Sequence, residues 1–202
     1  MKLYGRVTSS NVMKVLWLLD ELGLGYERID AGLSYGALDA TLNPFRLIPV
    51  LDDDGFVLFE SNAILRYLAR GHAAQTRVYP SEPRARAVID AWMDVQQTEV
   101  VVAMGPLFVG LIRTLPEHRD PVAIERARAA AAAVWTVIDA QIARAGFVAG
   151  TVMTLADYAL GPHVHRWFAL PVERPELPAL SAWYAAMRMR PAYIERVALP
   201  LT

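Results

Sequence analysis

The sequence predicts a small α/β domain followed by an all-helical domain, and three observations support this prediction. Short apolar segments alternate with an amphipathic helix over residues 1–75, which is typical of a β-α-β unit. A polar segment with several prolines follows, and we expect a linker at residues 76–83. Residues 84–202 have helical periodicity and no convincing strand pattern. A chain of 202 residues is long enough for two such domains.

The first elements follow from short-range patterns at the N-terminus. Residues 2–5 form a short strand, and the polar loop at residues 8–11 precedes a helix over residues 12–22, which glycines terminate. Residues 26–30 form the next strand, so the two strands should be parallel and joined by a right-handed crossover. Residues 31–42 have no strong period, and we expect a loop with a short helix there.

A bend and a hairpin complete the first domain. Strands at Val50-Leu51 and at residues 56–59 flank Asp53-Asp54-Gly55, where Asp and Gly tolerate the positive φ of a short turn. Pro49 lies where the first of these strands begins. The Ile48-Pro49 bond is a candidate cis peptide, because an X–Pro bond prefers trans by only about 0.5–1 kcal/mol.

A helix that begins at Ser61 offers a candidate ligand site. The first N–H groups of a helix are unpaired and lie at the positive end of its dipole, so they attract a carboxylate or a phosphate. Glu60, just before this helix, carries the opposite charge and suits an amine. Because a carboxylate beside an amine is an α-amino acid terminus, this corner suits a small peptide. An ordinary capping serine is the alternative, and this stretch alone favours it.

The second domain is predicted as a series of helices. Residues 84–109 have helical periodicity apart from Gly105-Pro106, where we expect a kink or a break. Further helices are expected at residues 123–145, from residue 154 onwards, and at residues 180–188 as the last helix. The Thr-Leu-Ala-Asp sequence at residues 154–157 has the form of a capping box, which is a folding device and not a catalytic one.

Composition excludes several classes of function. The formal net charge of -1 gives no electrostatic footprint for nucleic acid. Without cysteine there are no disulfides, thiol nucleophiles or thiolate metal sites. His163 and His165 point to different sides of a helix, so we expect no metal. We find no signal peptide and no uninterrupted apolar segment long enough to cross a bilayer, and therefore expect a soluble cytoplasmic protein.

Four motifs, in this order and at these spacings, make the chain resemble the cytosolic glutathione transferases along nearly its whole length. They are Lys2-Leu3-Tyr4-Gly5 with Ser9-x-Asn11, Asn43-Pro44-x-x-x-Ile48-Pro49-Val50-Leu51, Phe59-Glu60-Ser61-Asn62-Ala63-Ile64, and Thr154-x-x-Asp157. The resemblance implies a thioredoxin-like N-terminal domain, an all-α C-terminal domain and a cytoplasmic homodimer that acts in detoxification. The loop after the first strand resembles the serine-type pattern of the phi and theta-like groups.

The resemblance implies a role for each residue of the candidate ligand site. Pro49 would be cis, and the backbone of Ile48 would pair with the backbone of the cysteine of glutathione. Glu60 and Ser61 would hold the γ-glutamyl amine and carboxylate.

Two departures from the family pattern weaken part of this assignment. Arg46 and Leu47 stand where the family commonly has glycine followed by a lysine or glutamine that contacts glutathione, so that side-chain contact is lost or replaced. Residues 31–42 also form a shorter segment than usual, which puts contacts to the glycyl end in doubt.

The resemblance points to Ser9 as the residue that contacts the glutathione thiol, with Ser10 and Asn11 as substitutes. Tyr4 belongs to the first strand and cysteine is absent, so the tyrosine and cysteine types do not fit. A hydrogen-bond donor stabilises thiolate over thiol. Bringing a thiol pKa of about 8.5 into the neutral range needs only about 1.4–2.8 kcal/mol. The alternative is that these residues are merely N-caps.

A pocket for a small hydrophobic electrophile is expected in the helical domain. Candidate lining residues are Met104, Phe108, Arg113 and Trp167, together with Tyr158. Core packing is the alternative for each apolar residue. Arg113 either meets a carboxylate of the substrate or of glutathione, or is a solvated helix residue.

The sequence therefore predicts attack of a glutathione thiolate on an electrophilic carbon. One alternative is a non-catalytic relative that binds ligands or partners. Another is a glutathione-dependent isomerase or dehalogenase that uses the same site. Phe45 is a candidate contact with a partner subunit, and the polar residues Gln96, Gln97 and Glu99 face either that partner or the cleft.

Overall fold

A mixed four-stranded sheet forms the first layer of the molecule, seen in a computed structural model that describes residues 1–71 and 77–202. Its strands are β1 (Lys2–Tyr4), β2 (Glu27–Ile29), β3 (Val50–Asp53) and β4 (Phe56–Phe59). They are ordered β2-β1-β3-β4. The predicted end of the first domain at residue 75 and the predicted start of the linker at residue 76 lie outside the described residues.

The strand pairing confirms the predicted β-α-β unit and hairpin. β1 and β2 are parallel, with α1 (Ser10–Glu21) between them in the chain, and β3 pairs antiparallel with both β1 and β4. The hairpin turn contains two residues with positive φ, Asp54 at 51° and Gly55 at 92°. Between β2 and β3 the only helical element is a 3₁₀ turn at Leu33–Tyr35, where we expected a loop with a short helix.

Helices make up the rest of the described chain. They are α2 (Ser61–Gly71), α3 (Pro83–Val95), α4 (Val101–Phe108), α5 (Pro121–Ala145), α6 (Leu155–Ala169), α7 (Pro178–Met187) and α8 (Pro191–Arg196). The prediction that the helix at residues 180–188 is the last one was wrong. Proline fits the first turn of a helix, because its fixed φ is already helical and its missing N–H has no intrahelical partner there, so Pro191 begins α8.

The helix is not broken at Gly105-Pro106, where we expected a kink or a break. Pro106 lies inside α4. A five-residue π-helical turn at Gln96–Val100 joins α3 to α4, and a second at Val109–Arg113 extends α4, which gives one continuous helix, Pro83–Arg113. Proline removes one intrahelical hydrogen bond, and packing of Ala103, Met104 and Leu107 in the core holds the helix together across this loss.

This composite helix does not overturn the expectation of no uninterrupted apolar segment long enough for a bilayer, because Gln96, Gln97 and Glu99 interrupt its apolar residues. It has 31 residues and a mean hydropathy of 1.4 in its most apolar window, so it is long and apolar enough by length and composition alone. One face packs on α5 and α6. Val88, Val102 and Val109 of this helix are exposed, and Val102 and Val109 line an open cavity together with residues of α5.

The sheet side and the helical side share one core at the contact between α1 and α6. The ring of Trp17 lies 4.3 Å from that of Tyr158 and 4.8 Å from that of Tyr193. A Cβ atom at Gly161 would lie 2.6 Å from the Trp17 ring, so this close approach requires glycine. At the rim, Arg190 Nε donates to Glu21 at 2.7 Å. This packing orients the N-terminus of α1, where the candidate site lies.

Candidate active site

A cavity of about 240 Å³ brings the predicted ligand-binding residues together. It is lined by residues from the start of α1, the loop before β3, the start of α2 and the composite helix. These residues are Asn11, Asn43, Leu47, Ile48, Pro49, Glu60, Ser61 and Gln97. The motifs that lie far apart in the sequence therefore share one concave surface.

The loop before β3 is shaped by Asn43, a buried residue whose side chain the sequence analysis did not single out. Its Oδ1 accepts the Phe45 N–H at 3.0 Å, and its Nδ2 donates to the Leu47 carbonyl at 2.9 Å. Arg46 has a φ of 55°, in the left-handed region that non-glycine residues rarely adopt. Asparagine side chains commonly stabilise turns through hydrogen bonds of this kind to nearby backbone groups.

The Ile48-Pro49 peptide is cis, as predicted. Within residues 1–71 and 77–202, the N–H and the carbonyl of Ile48 make no hydrogen bond to another backbone group. Buried backbone groups are nearly always paired, so an unpaired N–H and carbonyl beside a cavity suit the backbone of an extended peptide. Leu47 is 62% exposed next to them, where the family pattern has a polar side chain.

Glu60 and Ser61 form the other wall of the cavity. Glu60 has a φ of 66°, and its carbonyl accepts the Ile64 N–H at 2.9 Å, so Glu60 occupies the N-cap position of α2. Holding a non-glycine residue in this region costs about 1–3 kcal/mol, and such strain is concentrated at functional sites. Ser61 is buried as the first residue of α2. A carboxylate and a free helix N-terminus therefore lie side by side.

The serine predicted to contact the thiol begins α1. Ser9 is the N-cap residue; its carbonyl accepts the N–H groups of Val12 and Met13, but its side chain makes no capping hydrogen bond. Ser9 therefore occupies the N-cap position that the alternative gives it, but its hydroxyl is not used for capping. Ser10 is the first residue of α1. Asn11 lines the cavity, and its Oδ1 is buried without a hydrogen-bond partner in the described part of the chain.

The three polar residues of the composite helix, Gln96, Gln97 and Glu99, have different surroundings. Gln97 lines the cavity, whereas Glu99 is exposed. Gln96 is fully buried, and its Oε1 accepts from Lys14 Nζ and from Asn62 Nδ2, each at 3.2 Å. Its Nε2 lies 3.1 Å from His163 Nε2. Gln96 therefore joins the two halves of the chain through a buried polar network.

Lys14 is the centre of this network and was not recognised from the sequence. Its side chain is fully buried, and Nζ donates to Asn62 Oδ1 at 2.7 Å. Burial lowers the pKa of Lys14 to about 7, although the negative charge of Glu60 opposes this change. Because residues 12–19 of α1 are all buried, a lysine among them had to find partners inside the protein.

Three residues predicted to line the electrophile pocket lie in the core instead: Met104, Tyr158 and Trp167. Trp135 Nε1 donates to the sulfur of Met104 at 3.3 Å, and the rings of Trp135 and Trp167 pack with centroids 6.5 Å apart. Met104 and Trp167 are buried, and Tyr158 packs on Trp17, so a lining role does not fit any of the three. An apolar residue on a helix cannot be assigned to core or to pocket by spacing alone.

Phe108 and Arg113, the other two pocket candidates, are adjacent. The Arg113 guanidinium lies 5.6 Å from the centroid of the Phe108 ring, and that of Arg166 lies 4.0 Å from it. His163 and His165 point apart, as predicted: His165 contacts Tyr184 and the Leu199 carbonyl. Among the residues that the structure describes, no three His, Asp or Glu side chains cluster closely enough to hold a metal ion.

Comparison with known proteins agrees with this geometry. Residues 1–70 match the family model for the glutathione S-transferase N-terminal domain, and residues 121–186 match that for the C-terminal domain. The chain is 36% identical over 206 residues to glutathione S-transferase GstB of Escherichia coli K12, covering 99% of each. It is 36% identical to glutathione S-transferase 3 of Zea mays, covering 100% of this chain and 95% of the relative.

A solved structure agrees equally well along the whole chain. The theta class glutathione S-transferase of Xanthomonas axonopodis pv. citri, with glutathione bound, superposes with a TM-score of 0.94 at 40% identity. The match covers 100% of this chain and 98% of that one. The thioredoxin-like first half, the helical second half and the sequence relationships together lead to one conclusion: the chain belongs to the glutathione S-transferase family.

Proposed function

We propose that this protein is a glutathione transferase that binds glutathione in the 240 Å³ cavity and activates its thiol as a thiolate for attack on small electrophiles. The observation that carries this proposal is the union of the Ile48-Pro49 turn, Glu60 and the start of α2 in one cavity. The names of its relatives in Escherichia coli and Zea mays, and the glutathione bound to the Xanthomonas structure, support it.

Three groups hold glutathione in this proposal. The Glu60 carboxylate accepts hydrogen bonds from the γ-glutamyl amine, and Ser61 with the first N–H groups of α2 donates to the γ-glutamyl carboxylate. The free N–H and carbonyl of Ile48 pair with the cysteinyl backbone. Leu47 contributes an apolar contact beside them.

The sulfur then lies near the N-terminus of α1, where the chain supplies donors and positive potential. The thiol loses its proton to solvent, and the Ser9 hydroxyl donates to the resulting thiolate, with the Asn11 amide as a second polar group. The sulfur lone pair attacks the electrophilic carbon, a carbon–sulfur bond forms, and the leaving group departs with its electron pair. No general base is required, because the donors act by lowering the pKa of the thiol.

Replacing Ser9 by alanine is expected to raise the pKa of bound glutathione by about one, which lowers kcat/KM about tenfold below that pKa. The affinity for glutathione should change little, because the anchors lie elsewhere. The measurement is the pH–rate profile together with the ultraviolet absorbance of the bound thiolate. Asn11→Ala and Ser10→Ala are parallel arms, and Ser181→Ala, on the exposed side of α7, is the matched control. An unchanged profile in Ser9→Ala with a shifted one in Asn11→Ala would transfer the role to Asn11.

Replacing Glu60 by glutamine is expected to weaken glutathione binding about 10- to 100-fold, since a hydrogen bond to a charged group contributes about 1.5–3 kcal/mol. Glutamine keeps the size of the side chain, so the backbone of Glu60 can retain its φ. Isothermal titration of glutathione measures the change. The control is Glu117→Gln, an exposed carboxylate in a 3₁₀ turn. Equal affinities for the wild type and Glu60→Gln would remove Glu60 from the site.

We further propose a cytoplasmic homodimer that takes part in detoxification of electrophiles. The exposed face of the composite helix, with Val102 and Val109, and the exposed Phe45 and Phe56 are apolar surfaces that suit a partner subunit. If two copies associate through this face, the exposed apolar residues of the composite helix become buried in the dimer.

A second candidate function is a non-catalytic glutathione-binding protein. The exposed Leu47, which stands where the family pattern has a polar contact, is the observation that favours it. Isothermal titration with glutathione, followed by turnover of chlorodinitrobenzene, separates the two. Binding with turnover supports the transferase, whereas binding without turnover of this or any other electrophile supports the second candidate.

A further inference from the structure

Three arginines from distant parts of the chain converge beside the candidate active site. Arg6 follows β1, Arg113 ends the composite helix, and Arg166 lies on α6. In the described part of the chain, none of the three takes part in any of the ion pairs. Most other buried or half-buried arginines here have a carboxylate or several carbonyls as partners, as Arg66 and Arg174 do.

The three side chains are held in place by contacts that leave their charge uncompensated. Arg166 Nη2 donates to the Thr8 carbonyl at 3.1 Å, and its guanidinium lies over the Phe108 ring. Arg113 contacts the same ring. The Arg6 Nε is buried and has no hydrogen-bond partner among the described residues. A buried donor without a partner points to a group that is supplied by a ligand.

The pKa shifts of Arg6 and Arg166 also indicate positive charges without a nearby carboxylate. Burial, together with the positive charges of Arg113 and Arg6, lowers the pKa of Arg166 to about 10. The pKa of Arg6 is lowered by burial and by Arg113. No carboxylate contributes to either value. Arginine remains protonated at neutral pH under these conditions, so the cluster holds mutually repelling charges that an anion would stabilise.

An open cavity of about 490 Å³ gives a ligand access to two of these arginines. Arg6 and Arg113 line it together with Thr8, Leu33 and Tyr35. Thr8 directly precedes Ser9, and Asn11 lines the 240 Å³ cavity, so residues 8–11 connect the two cavities. Thr202 also borders this space. A molecule held by the arginines therefore lies next to the position proposed for the glutathione sulfur.

We propose that Arg6 and Arg113 bind a carboxylate carried by the electrophile and that Arg166 adds positive charge beside them, so that the second substrate of this enzyme is an anionic electrophile. This inference rests on the proposed function. Leu33 and Tyr35 suit the apolar body of such a molecule, and the guanidinium groups suit its carboxylate through paired hydrogen bonds. Glutathione itself has a glycyl carboxylate of the same chemistry, and the experiment below distinguishes the two sources.

The reaction with an aryl chloride that carries a carboxylate keeps its atoms and charges in balance. The thiolate sulfur attacks the carbon that bears chlorine, and the new carbon–sulfur bond forms as the carbon–chlorine bond breaks. Chloride leaves with the electron pair, and the proton of the thiol goes to solvent. The carboxylate takes no part in the bond changes and serves only to anchor the substrate.

The test compares two probes of nearly equal shape, chloronitrobenzoate and the neutral chloronitrobenzamide, with the carboxylate or amide para to chlorine. Each enzymatic rate is divided by the uncatalysed rate with glutathione, which corrects for intrinsic reactivity. The wild type should favour the benzoate by about tenfold in kcat/KM. Arg113→Gln should raise KM for the benzoate about tenfold, while KM for the benzamide and for glutathione changes less than about twofold.

Arg113 is exposed, so its replacement should not disturb folding, and Arg166→Gln provides a second, more buried arm. Arg84→Gln, an exposed arginine at the start of α3, is the control for a general change in charge. If the Arg113 and Arg166 variants raise KM for glutathione instead, the cluster binds the glycyl carboxylate and the inference is wrong. It is also overturned if the wild type turns over the benzamide as well as the benzoate. If the wild type turns over neither probe nor chlorodinitrobenzene, the proposed transferase function is refuted instead.

Discussion

Replacing Asp157 by alanine is expected to lower the free energy of unfolding by about 3 kcal/mol at neutral pH. The carboxylate is fully buried at the start of α6. It accepts the Thr154 N–H at 2.8 Å, the Thr154 hydroxyl at 3.2 Å and the Trp183 indole N–H at 3.1 Å. Alanine leaves these donors buried without partners and removes a capping box. Urea unfolding at equilibrium measures the loss.

The exposed N-cap Asp120 of α5 is the matched control for Asp157. Its carboxylate accepts the N–H groups of Val122 and Ala123 at 2.9 and 3.1 Å, but water can replace it. Asp120→Ala should therefore cost only about 1 kcal/mol. If Asp157→Ala and Asp120→Ala lower the free energy of unfolding equally, burial of the Asp157 hydrogen bonds does not add to stability.

The stability difference between the wild type and Asp157→Ala should also depend on pH. Burial raises the pKa of Asp157 to about 6, so the folded state binds this proton more tightly than the unfolded state does. The resulting stabilisation is fully present below the unfolded pKa of about 4 and is lost as the pH rises through about 6. The difference should therefore be larger at about pH 4 than at about pH 7.

Replacing Lys14 by methionine is expected to abolish a pH dependence of stability that amounts to a few kcal/mol. Burial lowers the pKa of Lys14 to about 7 in the folded state, against about 10.4 in an unfolded chain. Between these values the unfolded state binds more protons, so stability rises with pH from about 7 to about 10. Below about pH 7 the buried charge costs the most. Methionine cannot titrate, so its unfolding free energy should lack this rise.

The measurement is urea unfolding of both proteins at several values between about pH 6 and pH 10. Lys2→Met, at an exposed position of β1, is the control, because the chain offers a second lysine on the surface. Parallel curves for the wild type and Lys14→Met would contradict a neutral Lys14 in the folded protein. A constant offset between such parallel curves would measure only the lost bonds to Asn62 and Gln96.

Short-range patterns in the sequence were sufficient to predict the local structure around most of the candidate glutathione site. The Asp53-Asp54-Gly55 turn, the cis peptide at Pro49 and the helix that begins at Ser61 each depend on residues within a few positions of one another. The spacing of the four motifs then pointed to the family. The position of the reacting thiol is harder to assign, because Ser9, Ser10 and Asn11 have the same local signal and differ only in what surrounds them.

Other features could not be derived from neighbouring residues. Pro191 begins α8 and Pro106 lies inside α4, although proline more often ends a helix. The same residue type has opposite effects at the first turn and in the interior of a helix. Which effect applies depended on the packing of each segment against the rest of the chain.

Patterns among neighbouring residues thus predict the sheet, the hairpin, the capping box and the candidate glutathione site. Folding in three dimensions decided which side chains are buried and which charges meet. Lys14 reaches Asn62 and Gln96 across 48 and 82 residues, and Arg6, Arg113 and Arg166 converge from three separate segments. Desolvation and Coulomb interactions act through space, so no pattern of neighbouring residues could reveal these two clusters.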